Sequence, residues 1–359
     1  MKDSVPSLLV VPQLDGWEER WDELVDLSPL PSPFLRSWWL TATGGSRRAF
    51  LLVVHDDRLL GGLALEERRG MGLQSLRMMG SGPLCPDHVD LIAAPNEQDT
   101  ALRLIGSWLC RPGARLVDLE GVPAGSRLIE ALPGTVRCEP MAGAPWTPLP
   151  HDATTYMAGL SSPFRRQVRR ASARLAVEGA THRTNRGESA VRSLDTLRRL
   201  HQTQWGGRSQ FLPEFDRFAA GCRLGAVADE VAVHQLANDE IVMSTVVTFE
   251  VAGRVSLYQS GRLTDHRWRE ATTVLMTAII TDACDRGFTE VDFLRGDEPY
   301  KKRFAPRRRE LVRLIAANGE LGRTALLAKA AAFTTKLAAE RSVRAGRAAW
   351  ARARPSRSG

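Results

Sequence analysis

Cysteine is scarce in this chain: five residues in 359, none in a C-x-x-C pair. That excludes a zinc knuckle and a disulfide framework as the organising device. The seven histidines show no H-x-x-x-H spacing, so no metal is expected. No uncharged apolar run approaches the roughly 18 residues of a membrane span. The N-terminus, MKDSVPSLLVVPQLDG, lacks the apolar core of a secretory leader. The expectation is a reduced, cytoplasmic protein. With 43% hydrophobic and 25% charged residues, the composition excludes a disordered chain, a collagen and a coiled-coil rod. The length suits about two domains.

The net charge is +8, but it is not spread over the chain. Between Leu321 and Gly359 stand nine basic residues (Arg323, Lys329, Lys336, Arg341, Arg344, Arg347, Arg352, Arg354, Arg357) opposed only by Glu340. This tail accounts for the whole excess, so residues 1–320 form a balanced body and not a basic, nucleic-acid-binding one. Leu326, Ala330, Phe333 and Leu337 fall at i, i+4, i+7 and i+11 of a helix. The tail is expected to pack on its own body, to lie on an anionic membrane at the inner face, or to grip nucleic acid.

Two halves of the body echo each other. The first reads FLLVVH, a tight turn at Asp56-Asp57-Arg58, LLGGLALEE, LQSLRMMGSG, a helical ALRLIGSWLC, then GARLVDLEG. The second reads VAVHQLA, a turn at Asn238-Asp239-Glu240, IVMSTVVTF, RVSLYQSG, a helical ATTVLMTAIITDACDR, then GFTEVDFLRG. Each runs strand, turn, strand, strand, helix, strand, and each places an aspartate (Asp118, Asp292) five residues after a glycine. The pattern predicts mixed α/β layers with part of each sheet antiparallel. Asn and Asp suit the tight turns, and Gly287 suits a left-handed helix end. Between the halves, Pro140, Pro145, Pro148 and Pro150 mark an extended connector. Next comes a helix with Ser162 as N-cap and Pro163 at its first position. Its faces are Phe164/Val168/Ala171/Leu175 and Arg166/Arg170/Arg174. A further helix, SLDTLRRLHQTQW, carries His201 among leucines, which reads as a packed histidine.

FRRQVRRASARL, then LRRLHQTQW, then VDFLRGDEPYKKRF together resemble the FemAB-like branch of the GNAT N-acyltransferase superfamily, which includes CelD-like proteins linked with exopolysaccharide synthesis. The resemblance spans Ser161 to Asn318, and the first half, with SPFLRSWW, looks like a degenerate copy. It implies an α/β fold of two tandem GNAT-like domains, residues 1–150 and 151–320, with a basic helical tail at 321–359. It implies acyl transfer from acyl-CoA, in the simplest case acetyl-CoA, to a small-molecule or glycan amine. In such folds the donor pyrophosphate sits at a helix N-terminus, where free N–H groups and the helix dipole favour an anion. Here that place is GRLTDHRWREA, so Arg262, Arg267, Arg269 and Thr272 are the cofactor candidates. A departure stands at the same spot. The small-residue turn of the family is replaced by Trp268, Arg269 and Glu270. Two alternatives therefore stay open: an aminoacyl-tRNA donor, which makes tRNA the one nucleic acid to consider, and a non-catalytic binding protein.

The catalytic candidates are Asp292 as base or amine holder, Tyr300 as proton donor to the leaving group, and Lys301 as contact for phosphate or developing charge. Tyr258, Arg295 and Asp297 are the substrate-binding candidates, at the strand end where α/β folds commonly bind ligands. Each has a structural reading beside it: Asp292 and Asp118 as matching structural carboxylates, Arg295 in an ion pair with Asp297 or Glu298, and Tyr258 and Tyr300 as packing residues.

Overall fold

The computed structural model describes residues 5–331, and most of the expected tail, 332–359, lies outside the described residues. Two sheets form. The first runs Ser7–Val11, Arg48–His55, Arg58–Gly70, Leu73–Met78, Arg115–Pro123, Leu311–Asn318, Arg137–Pro140, with Ile92–Ala93 added to its third strand. The second runs Arg307–Arg309, Ala144–Pro148, Glu290–Asp292, Arg254–Arg262, Val242–Val251, Val231–Ala237, Thr181–Asn185.

The echo between the halves is a structural repeat. Each sheet contains one parallel pair, Leu73–Met78 with Arg115–Pro123 and Arg254–Arg262 with Glu290–Asp292, and is otherwise antiparallel. Each parallel pair needs a crossover, supplied by helices Gln98–Leu109 and Ala271–Asp285. The Asp56-Asp57 turn has φ of +46° and +59° at its centre, the twist-matched hairpin geometry that aspartate tolerates. In the second half, the Asn238 side-chain oxygen accepts from Glu240 and Ile241 N–H and closes the turn. Gly287, at φ +80°, ends its helix as expected. The arginine-rich helix spans Ser162–Val177, so Ser162 lies inside it and Ser161 is the capping position.

The sheets are interlocked, each taking a strand from the other half's stretch of chain. Ala144–Pro148 pairs with Glu290–Asp292 in the second sheet, and Leu311–Asn318 pairs with Arg115–Pro123 in the first. The halves also share one core. Phe34, Trp38 and Trp39, from the SPFLRSWW stretch, meet Phe249 and Tyr258 edge to face at centroid distances of 5.3–6.0 Å, and Phe249 stacks on Tyr258 at 5.1 Å. A second core lies between helices Ser162–Val177 and Ala271–Asp285 and the second sheet. Residues 319–331 are helical, and Ala325 and Leu326 cover a small apolar patch on the first sheet, so this part of the tail packs on its own body.

Candidate active site

Strand Arg254–Arg262 has a parallel partner only over Arg254–Ser256; it then runs six residues further while the chain after Asp292 turns away. A bulge falls at Tyr258: Thr248 pairs with Leu257 and Val247 with Gln259. The divergence opens a cleft of about 650 Å³. Its walls are this strand, the first turns of helix Ala271–Asp285, the end of helix Gly187–Trp205, the turn after Asp292, and a loop from the first half.

The turn after Asp292 explains the spacing of DFLRGDEPYK. Leu294 and Gly296 take positive φ, +55° and +144°. A Cβ on Gly296 would stand 2.2 Å from a Glu298 carboxylate oxygen and 2.6 Å from Lys301 Nζ. Lys301 is buried, and its ammonium donates to the carbonyls of Leu294 (3.3 Å) and Arg295 (3.0 Å) and pairs with Glu298 at 3.0 Å. Its three N–H donors are thereby engaged. Lysine at this position locks the cleft wall.

Of the proposed catalytic residues, Tyr300 and Lys301 line the cleft and Asp292 does not. Asp292 is fully buried in an ion cage: His88 at 3.0 Å, Arg254 at 3.1 Å and Arg309 at 3.0 Å. It also accepts from the Leu294 N–H at 2.7 Å. Burial opposes its ionisation, but the surrounding His88, Arg254 and Arg309 outweigh burial and hold its carboxyl well below the usual range. Asp118 sits in the matching cage of the first half, held by Arg313 (2.6 and 2.7 Å) and by Lys329. The two equivalent aspartates are charge anchors for the sheets, because an unpaired buried carboxylate would be far costlier. Tyr300 is 39% exposed, and burial of part of its ring pushes the phenol up to about 12.

Of the cofactor candidates, Arg262, Arg269 and Thr272 line the cleft at the helix mouth, Thr272 sharing a 2.9 Å hydrogen bond with Ser244. Arg267 does not. It stacks on the outer face of Trp268 and lies 3.6 Å from Glu178. Trp268 is turned into the second core, so it does not plug the cleft. Glu270 faces helix Ser162–Val177, accepting from Gln167 and Arg174 at 3.3 Å each, and so leaves the helix mouth positive. Of the substrate candidates, Tyr258 and Arg295 line the cleft and Asp297 lies outside it, paired with Arg308 at 2.6 Å. The Tyr258 hydroxyl donates to the Leu84 carbonyl at 2.5 Å, and burial drives its phenol well up.

The ion partner of Arg295 is neither Asp297 nor Glu298. It is Asp87, which accepts the Arg295 backbone N–H at 2.6 Å and lies 3.0 Å from its Nε. Asp87 belongs to the connection between Met78 and Ile92 in the first half, with Cys85, which also lines the cleft, and His88, which cages Asp292. Sequence reasoning missed all three. The available signal was an unusually long connection rich in Gly and Pro that carries an Asp-His pair, since such loops are commonly functional. His201 also lines the cleft. A carbonyl only accepts, so its contact with the Ser260 carbonyl (3.3 Å) places the proton on Nδ1 and leaves Nε2 to the Ser209 hydroxyl (2.9 Å). Burial lowers its pKa. Among the described residues no cluster has the makings of a metal site. No helix there is long and apolar enough to cross a membrane.

Residues 162–302 match the family model of an acetyltransferase (GNAT) domain. No curated protein sequence matches the chain. Solved structures share its fold, among them the following three. FemX does so at TM-score 0.58 and 10% identity, over 82% of this chain and 95% of its own. The C-terminal domain of a putative lysylphosphatidylglycerol synthetase from Agrobacterium fabrum does so at 0.56 and 10%, over 87% and 95%. L-PGS from Bacillus licheniformis does so at 0.56 and 11%, over 86% and 95%. The GNAT resemblance carried by DFLRGDEPYKKRF is borne out by the family model over the second half, and its FemAB-like tandem form is borne out at the level of fold by FemX.

Proposed function

We propose that the chain is an N-acyltransferase that moves an acyl group from acyl-CoA to an amine, an amino sugar of polysaccharide or cell-envelope synthesis being the acceptor class. The observation that carries this reading is the cleft where Arg254–Arg262 leaves its parallel partner, opening onto the first turn of Ala271–Asp285. An unpartnered strand edge offers N–H and C=O groups to a pantetheine arm and N–H donors to a developing oxyanion. The helix mouth, with Arg262 and Arg269, suits a pyrophosphate. The volume falls within the roughly 300–1,000 Å³ of small-molecule sites. Tyr300, in the cleft lining and protonated at neutral pH, is the group that would return a proton to the leaving thiolate.

A second reading keeps the cleft and takes aminoacyl-tRNA as donor. Two observations favour it: bulky Arg267–Glu270 in place of a small-residue turn, and the exposed Arg166, Arg169 and Arg170 on the helix packed against Ala271–Asp285. Thermal unfolding with acetyl-CoA, longer acyl-CoAs and charged tRNA separates the two. A ligand at 100 times its Kd adds about 2.7 kcal/mol. A shift with a CoA thioester is the expected result. A shift with charged tRNA alone would favour the second reading, and none with either would leave a non-catalytic binding protein.

A further inference from the structure

Asp87 has no counterpart among the groups the reaction has so far used. It enters the second half's cleft from the first half, it is 1% exposed, and it lies in the cleft lining with Cys85, Tyr258 and Arg295. Its two oxygens differ. Oδ2 accepts the Arg295 backbone N–H at 2.6 Å. Oδ1 stands 3.0 Å from Arg295 Nε without hydrogen-bond geometry, and it has no hydrogen-bond partner among the described residues. A buried carboxylate oxygen with a charge partner but no hydrogen bond keeps lone pairs that a donor in the cleft can complete.

Resting on the acyl-transfer reading, we propose that Asp87 is the catalytic base for the acceptor: its Oδ1, ion-paired with Arg295 but accepting no hydrogen bond, receives the ammonium group of a primary amine and takes a proton from it. Asp292, caged outside the cleft, cannot do this. Burial raises the Asp87 carboxyl, while Arg295 and then His88 keep it from rising further; Asp292 adds a repulsive charge, and Cys85 and Tyr258 face it as neutral groups. A base shifted upward is better matched to neutral pH.

The step balances as follows. The ammonium gives one proton to Asp87, and the neutral nitrogen attacks the thioester carbonyl carbon. The N–C bond forms, the C–S bond breaks, and the thiolate takes a proton from Tyr300. The amide nitrogen's surplus proton restores the Tyr300 phenol. Asp87 releases its proton to water, so the turnover yields amide, free CoA thiol and one proton.

The test compares wild type with Asp87→Asn on two acceptors. One is an amine protonated at neutral pH (glucosamine, ethanolamine or lysine, whichever the wild type acylates). The other is hydroxylamine, whose nitrogen is already unprotonated there. With the protonated amine, kcat/KM at pH 7 is expected to fall about 10²–10⁴-fold. The deficit should close as pH rises toward the amine's own pKa, and hydroxylamine should be acylated at nearly the wild-type rate. The stabilisation by acetyl-CoA should persist. Equal losses with both acceptors at every pH would make Asp87 a positioning residue and overturn the proposal, as would an unchanged profile. Loss of the acetyl-CoA shift would make it a clamp between the halves, with the same consequence. Failure of the wild type to acylate any of these acceptors would overturn the acyl-transfer reading itself.

Discussion

Lys301 shows how a family motif residue can earn its place by holding backbone. Its ammonium engages two carbonyls and Glu298 in the wall that carries Phe293, Leu294 and Arg295. Lys301→Met keeps the stem and removes the donors. Leaving buried carbonyls unpaired costs about 1–3 kcal/mol, so thermal unfolding should drop by that amount. A wall shifted by an ångström can lower turnover about 10²-fold, which steady-state kinetics on the folded variant would read. Asp90, near Asp87 on the same loop, makes a pH prediction. Burial pushes its carboxyl up to about 6, although Ser126 and the Leu91 N–H partly offset the shift. The folded pKa lies above the unfolded one, so the native state holds the extra proton between about 4 and 6. Its contribution is fully present below about pH 4 and is lost as pH rises through 6. Asp90→Asn should therefore match wild type in acid and exceed it by about 1–3 kcal/mol at pH 8, measured by denaturant unfolding at both pH values. Equal stability at pH 8 would contradict the assignment.

At the scale of elements, helix Phe215–Val227 is held against the first half through its glycines. A Cβ on Gly225 would stand 2.6 Å from Val231 Cγ2 and 3.0 Å from Trp38 Cε2; on Gly221 it would meet Trp39 at 3.2 Å. Close approach of helix to tryptophan is what these glycines permit. Overpacking of this kind costs about 1–3 kcal/mol, so Gly225→Ala should lower the unfolding midpoint by that free energy, whereas Gly207→Ala, with nothing within 4 Å, should not. The strands and crossover helices were legible in the sequence because period, turn chemistry and helix ends agree locally at FLLVVH–Asp56–Asp57, at Asn238 and at Gly287. The exchange of Ala144–Pro148 and Leu311–Asn318 between sheets was not, since strand pairing across 142 or 195 residues leaves no mark on local pattern.

At the scale of the molecule, charge is segregated: a balanced body and a basic C-terminus. We propose that residues 332–359 reach an anionic surface, since the helical part before them already packs on the first sheet. Sedimentation with phosphatidylglycerol vesicles should retain the full chain and lose it on truncation after Ala331, and raising the salt should weaken the retention. Retention that survives truncation would move the contact to the Arg166/Arg169/Arg170 face. By itself, the sequence determined the duplication, the strand and helix order and the identity of the segment from Asp292 to Lys301, because each is encoded by neighbours along the chain. Only the tertiary structure decided which carboxylate faces the cleft. Asp292 is drawn into a cage of His88, Arg254 and Arg309, and Asp87, 208 residues before its partner Arg295, takes the buried post in the cleft lining. Burial and pairing energies depend on which groups meet across the fold, and two halves that share a core choose those partners at long range.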